Sequence, residues 1–481
     1  MVNHEEICFL ELTEVAELIR SRQISASEVL DATLERIADH DQVLGSYVTV
    51  MGDVARAAAA KADKEISRGN YKGPLHGIPL GIKDLCYTTD AVTTAGMPIF
   101  NDFTPPYDAT VVTRFRDAGA VKRVVMVGKL KMTEGAYTEH HPQVAAPVNP
   151  WDAETWAGVS SSGSGVAVAA GLCFGATGSD TGGSIRLPSS MNGVTGLKPT
   201  WGRVSRYGVV ELAASLDHVG PMARSARDCA ALLEVMAGAD PNDPTASLEP
   251  VPSYAANLSL AAPPRVGVDW TAMASFDETT RQMLVDTVVL LESLGWPVVE
   301  LRLPDLAAIS EAFGPLLAVE TALAHEDTFP ARAAEYGEAL GDFIEAGRAS
   351  MAVGYQKLVK QRMAFVGEFR RVFQKVDLVL MPGVGFASPT LEKLSTLGED
   401  MELFAALLTP TAPFNMTGSP TITLPAGFSP RGTPLGVQFI GRDFSEQLLL
   451  QAGHAFQSVT DFHTKHPPMA QKARQLERAV L

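Results

Sequence analysis

The chain has 481 residues, 46% hydrophobic and 20% charged, a balance that excludes wholesale disorder. Its 55 acidic and 39 basic side chains leave a formal net charge of −16 and no basic run, which argues against a nucleic-acid partner. Cys8, Cys86, Cys173 and Cys229 form no CxxC pair, so neither a disulfide framework nor a zinc site is expected. The first residues lack the basic and apolar regions of a signal peptide, and a reducing cytoplasm is the expected compartment. Length alone suggests about three domains.

The first 70 residues read as helical. Thr13 is placed to cap a helix through Val15, Leu18 and Ile19. Ser25 and Glu28 form a capping box before Val29, Leu30, Leu34 and Ile37. Residues 53–68 are Ala-rich and predict a further helix. Residues 78–85 (IPLGIKDL) read as a buried strand, 110–117 as a helix and 120–127 as a strand. This alternation indicates an α/β sheet. Residues 166–170 read as a small, buried helix and 225–237 as a helix capped by Ser225. Residues 240–264, with six prolines, predict a surface loop and the best linker candidate. Beyond it, 279–294 predicts a helix, 297–301 a strand, 313–371 mostly helix, and 376–381, 421–424 and 436–440 strands.

Two stretches carry no charge, 155–179 and 403–430. The first holds six glycines and the second five prolines, so neither is a sustained apolar span, and both become candidates for deep interior. GxSxG, SxxK, HExxH and the P-loop pattern are all absent. What remains is a pair of Gly/Ser clusters, 158–165 and 178–186, flanking apolar residues. A linker does not enclose such a helix. Thr181-Gly182-Gly183-Ser184 can instead present consecutive N–H groups to a developing oxyanion. A serine nucleophile needs a base, and no histidine sits in an obvious catalytic setting. Lys83 lies inside the apolar strand, where a charge is expensive to bury. It is either a catalytic base or the ion-pair partner of Asp84 or another acid.

These residues place the chain beside a known family. Four segments, GPLHGIPLGIKD (73–84), NPWD (149–152), GVSSSGSGVAVAAG (158–171) and GSDTGGSIRLPSSMNGVTGLKPT (178–200), resemble the amidase signature family of serine hydrolases. SLDHVGPMARSARDCA (215–230) and PLGVQFIG (434–441) agree, and the similarity runs from about residue 10 to 468. The resemblance implies an α/β fold of one large domain (1–481), with a mixed central sheet covered by helices on both faces. It implies a Ser–cis-Ser–Lys triad of Ser184 as nucleophile, Ser160 as bridging serine after a cis Val159–Ser160 peptide, and Lys83 as base. Ser161 is the other candidate for the bridge. Thr181, Gly182, Gly183 and Ser184 match the oxyanion loop, and Asp180 and Arg186 are read as holding it. Val159 and Ser162 stand where the family commonly has glycine.

The implied reaction is hydrolysis of a C–N acyl bond through an acyl-enzyme on Ser184, with no cofactor or metal. One branch of the family is the glutamine-hydrolysing component of a tRNA-dependent amidotransferase, and length and SRYGVV (205–210) fit it. Local alignment puts Phe343 and Leu408 where that branch holds glutamine by an arginine and an aspartate. An apolar pocket drawing on Phe343, Met381, Leu408 and Phe414, together with the segments 135–147 and 310–345, is therefore expected, for an apolar or aryl carboxamide, anilide or carbamate. A different class of reading is a non-catalytic assembly protein, and intact Lys83, Ser160 and Ser184 weigh against it. The expected partner is a small molecule, with no membrane, and the chain a monomer or homodimer.

Overall fold

A computed structural model of the chain describes residues 4–117 and 124–468. Its eleven strands are β1 (Tyr47–Val50), β2 (Pro79–Lys83), β3 (Val125–Leu130), β4 (Gly175–Asp180), β5 (Thr195–Lys198), β6 (His218–Ala223), β7 (Val266–Val268), β8 (Val298–Glu300), β9 (Leu378–Pro382), β10 (Thr421–Phe428) and β11 (Pro434–Ile440). They form one sheet in the order β1-β3-β2-β4-β6-β5-β10-β11-β9-β7-β8. β2 runs parallel to both β3 and β4, and β7 to both β8 and β9, whereas the other pairs are antiparallel. The sheet is thus mixed, in a single α/β domain.

Helices cover both faces. On β10, Ile422 and Leu424 lie against Gly453 of helix Glu446–Gln457, while Thr423, pointing the opposite way, lies with Ser190 of helix Arg186–Asn192. Alternate residues of a strand face opposite sides, so both sides of β10 are buried. β2, β3, β4, β6, β9 and β11 are buried along their whole length, as expected of a sheet sandwiched between helices.

Most helices arise where the sequence places them. Ser25 caps Ala26–Leu44, accepting from Glu28 N (3.1 Å) while the Glu28 carboxylate accepts from Ser25 N (2.8 Å). Ser225 caps Ala226–Met236. Helix Leu12–Arg20 is a correction: its cap is Glu11, not Thr13. The N–H groups of Leu12 and Thr13 and the Thr13 hydroxyl donate instead to buried Asp228, at 2.9, 3.0 and 2.9 Å. A distant carboxylate thus satisfies the free donors of that first turn. Of the strand expected at 120–127, residues 120–123 lie outside the described residues, and β3 extends to Leu130.

Residues 240–264 form a surface loop, but not a linker. The Arg203 guanidinium donates to Glu249 O and Pro250 O (2.8 Å each) and to the Tyr254 hydroxyl (2.9 Å). Asp240 and Asp243 accept from Ser205, Thr110 and Arg206 N, tying the loop to the main body. One helix, Leu306–Ala324, is long and apolar enough to cross a membrane by composition alone, and 56% of that stretch is buried inside the fold. All four cysteines are free and buried.

Candidate active site

Lys83 ends β2, and β4 lies alongside in parallel. Thr177 and Ser179, two apart on β4, share a face. Thr177 Oγ1 accepts from Lys83 N at 2.8 Å, and Ser179 Oγ lies 2.8 Å from Lys83 Nζ. The next strand residue points the other way, so Asp84 does not pair with Lys83. Asp84 faces Lys129, at 3.0 Å, and accepts from Thr94 N at 2.9 Å. The reading of Lys83 as the ion-pair partner of Asp84 is therefore ruled out. No carboxylate lies within 4.0 Å of Lys83 Nζ among the described residues.

The Lys83 ammonium is fully buried among three hydroxyls: Ser160 Oγ (2.8 Å), Ser161 Oγ (2.9 Å) and Ser179 Oγ (2.8 Å). Desolvation lowers its pKa to about 7, against smaller opposing effects of Cys86, Asp180 and Asp217. Burial disfavours the charged form of a lysine, and here no neighbouring anion restores it. A neutral amine has two N–H donors and one lone pair, so one hydroxyl must donate to it. The Ser161 hydroxyl already donates to Ser179 O at 3.2 Å, which leaves Ser160 or Ser179 as the donor.

The loop that carries Ser160 has a cis Val159–Ser160 peptide. Gly158, at φ 80°, lets the loop press on helix Arg186–Asn192: a Cβ there would lie 2.6 Å from Pro188 Cα. Thr133 N donates to Ser160 O (3.3 Å) and Ser161 N to Ser184 O (3.3 Å), bringing the two serine loops together. Ser184 is partly exposed, unlike Ser160 and Ser161, which are fully buried. Its hydroxyl makes no hydrogen bond among the described residues, so Lys83, Ser160, Ser161 and Ser179 are joined directly while Ser184 stands beside them.

The Ser184 turn is held by Asp180 and Arg186, both fully buried. Arg186 Nε and Nη2 donate to the two Asp180 oxygens at 3.0 and 2.8 Å, a bidentate pair. Asp180 also accepts from Gly183 N (2.9 Å), Ile185 N (3.0 Å) and Asn415 Nδ2 (2.8 Å). Burial alone would raise the pKa of Asp180, but Arg186 outweighs it and holds the carboxyl well below the usual range. Of the four expected oxyanion-loop residues, Gly183 therefore has its N–H committed to Asp180. Those of Thr181, Gly182 and Ser184 find no protein acceptor among the described residues. The Thr181 hydroxyl donates to Asp217 at 2.6 Å.

The four expected pocket residues divide. Phe343, half-buried, stacks on Tyr137 with ring centroids 4.4 Å apart, and Leu408 is half-buried at the end of helix Met401–Leu408. Met381 and Phe414 are a correction. Both are fully buried in the core, Met381 within β9 and Phe414 against Phe369, and neither offers surface to a ligand. Sequence reasoning did not single out Ser179 or Asn415, and it reached Tyr137 and Phe313 only as members of the pocket segments 135–147 and 310–345. Tyr137 is tied to the site, because Thr133 binds both Ser160 O and Tyr137 O. Phe313 packs on the oxyanion loop: a Cβ on Gly182 would lie 2.7 Å from its ring. The available signal for Ser179 was its period-two relation to Thr177 on a strand beside Lys83. Among the described residues no group of three or more His, Cys, Asp or Glu side chains could hold a metal ion.

Comparison with known proteins places the chain in a family. The family model described as Amidase matches residues 28–450. The chain is 60% identical over 468 residues to the protein named "Putative amidase AmiD" of Mycobacterium tuberculosis, covering 97% of this chain and 98% of that one. It is 37% identical over 497 residues to a glutamyl-tRNA(Gln) amidotransferase component of Moorella thermoacetica, covering 96% and 99%. Among solved structures, a 6-aminohexanoate cyclic dimer hydrolase bound to substrate superposes with a TM-score of 0.86 at 28% identity, covering 96% of this chain and 99% of that one. The native peptide amidase of Stenotrophomonas maltophilia does so with a TM-score of 0.81 at 28% identity, covering 95% and 98%. The chain belongs to the amidase signature family and is a hydrolase of carbon–nitrogen bonds.

Proposed function

We propose that the chain hydrolyses a carboxamide with an apolar or aryl acyl group through an acyl-enzyme on Ser184. One observation carries this reading: a fully buried lysine, with no carboxylate partner among the described residues, lies 2.8 Å from the Ser160 hydroxyl, beside the partly exposed Ser184 on a Gly-Gly turn. Neutral Lys83 accepts the Ser160 proton as Ser160 accepts that of Ser184, whose side chain turns toward it. Ser184 Oγ attacks the acyl carbon, and the N–H groups of Gly182 and Ser184 stabilise the oxyanion. The proton returns through Ser160 to the leaving amine, and water then hydrolyses the ester. Ser161, its proton held by Ser179 O, is a positioning residue.

Phe343 and Tyr137, stacked on each other, form the aromatic wall of the acyl pocket. Anilides, carbamates and esters with the same acyl group reach the same nucleophile. The amidotransferase reading is disfavoured, because neither Phe343 nor Leu408 offers a charge to an α-amino acid. A screen of amides, anilides, carbamates, esters and glutamine at pH 8, with Ser184→Ala as the blank, tests this. Hydrolysis of apolar amides by the wild type alone supports it, and glutaminase activity or full activity of Ser184→Ala overturns it.

A further inference from the structure

Behind the Lys83 shell lies a small cavity of about 20 Å³, room for a single water molecule. Ser179 and Thr181 form its inner side, and Arg206, Val209, Val210 and Glu211 its outer wall. Ser179 is a hydrogen-bond partner of Lys83, and Thr181 opens the oxyanion loop, so the space adjoins the reacting groups without belonging to the Phe343 pocket. The outer wall is pinned, with Val210 N donating to Leu85 O (2.9 Å) and Tyr87 N to Gly208 O (2.9 Å). Its residues are only partly buried, so solvent lies just outside.

Two lining residues carry buried nitrogens that no group among the described residues satisfies, Arg206 Nε and His218 Nε2. His218, 2% exposed, has Nδ1 2.6 Å from Leu216 O, which fixes the proton on Nδ1 and leaves Nε2 as an acceptor. A donor and an acceptor thus remain unpaired among the residues lining one cavity. Buried polar groups are normally satisfied, by ordered water where protein does not reach them.

We infer that this cavity holds ordered water and delivers the nucleophile for deacylation, by a route distinct from the acyl pocket. The inference rests on the acyl-enzyme proposed above. The water oxygen attacks the acyl carbon as its proton passes through Ser160 to Lys83. The bond from the acyl carbon to Ser184 Oγ then breaks, Ser184 recovers the proton through Ser160, and the carboxylic acid leaves.

The test fills the cavity with Val210→Ile, with Val209→Leu as a second filling should that variant fail to fold and Val210→Ala as the opposite change. Wild type and variants are acylated with a p-nitrophenyl ester, excess ester is removed, and decay of the acyl-enzyme is followed by intact mass. The expected result is decay slowed about tenfold or more in the filled variants, acylation within about twofold of wild type, and no slowing in Val210→Ala. Unchanged decay overturns the inference, as does an equal slowing of acylation, which would make the cavity a leaving-group pocket. Failure of the wild type to acylate at Ser184 overturns the reading beneath it as well, and is seen separately as absence of any adduct.

Discussion

Ser179→Ala gives the sharpest perturbation of the base. As an ammonium, Lys83 can donate to Ser160, Ser161 and Ser179, while as an amine it donates to two hydroxyls and accepts from the third. Removing Ser179 therefore costs the charged form a charge-assisted bond of about 1.5–3 kcal/mol and the neutral form a bond of about 0.5–1.5 kcal/mol. The difference, about 1 kcal/mol, is somewhat under one pKa unit. In the wild type the pKa is about 7, so the fraction of neutral base, and with it kcat/KM, rises with pH through that value. In Ser179→Ala the acid limb moves to lower pH by about half to one unit, with a lower plateau because the amine is less well held. The assay is kcat/KM for an anilide from pH 5 to 9. A limb that moves upward, or one that stays put while the plateau falls, refutes the argument that Ser179 stabilises the ammonium.

Lys83→Ala abolishes that acid limb and lowers kcat by orders of magnitude, read in the same pH series. Asp180→Asn leaves the buried Arg186 uncompensated and destabilises the fold by about 3–5 kcal/mol, measured by urea denaturation. Gly182→Ala drives a methyl into the Phe313 ring and lowers kcat, and Phe313→Leu in the same chain restores part of it. Phe343→Ala lowers kcat/KM for aryl amides by about 1–3 kcal/mol in transition-state binding while sparing acetamide, checked by comparing the two substrates.

Lys83 stood out in the sequence because burying its charge inside IPLGIKDL is costly, and that cost is what lowers its pKa. Its partners did not stand out equally. β4 reads as a Gly/Ser cluster because GATGSD has almost none of the branched or aromatic residues that mark strands. It is nevertheless a central strand, where small residues are required: a Cβ on Gly178 would lie 2.8 Å from Ile185 Cγ1. Ser179 was hidden with it. Thr13 was misread as a cap because Asp228, more than 200 residues away, supplies the acceptor, a contact no local pattern encodes. Met381 and Phe414 are apolar residues near the site in sequence terms, and only tertiary packing separates a core residue from a pocket wall. Phe343 differs from them by standing half-exposed against Tyr137.

The central claim is that Ser184 carries the acyl group and Lys83 drives its formation. Intact mass and peptide mapping after brief treatment with a p-nitrophenyl ester test it most directly. The account predicts one adduct, on Ser184, absent in Ser184→Ala and formed far more slowly in Lys83→Ala. An adduct on another residue, or one that forms at the wild-type rate without Lys83, would contradict it.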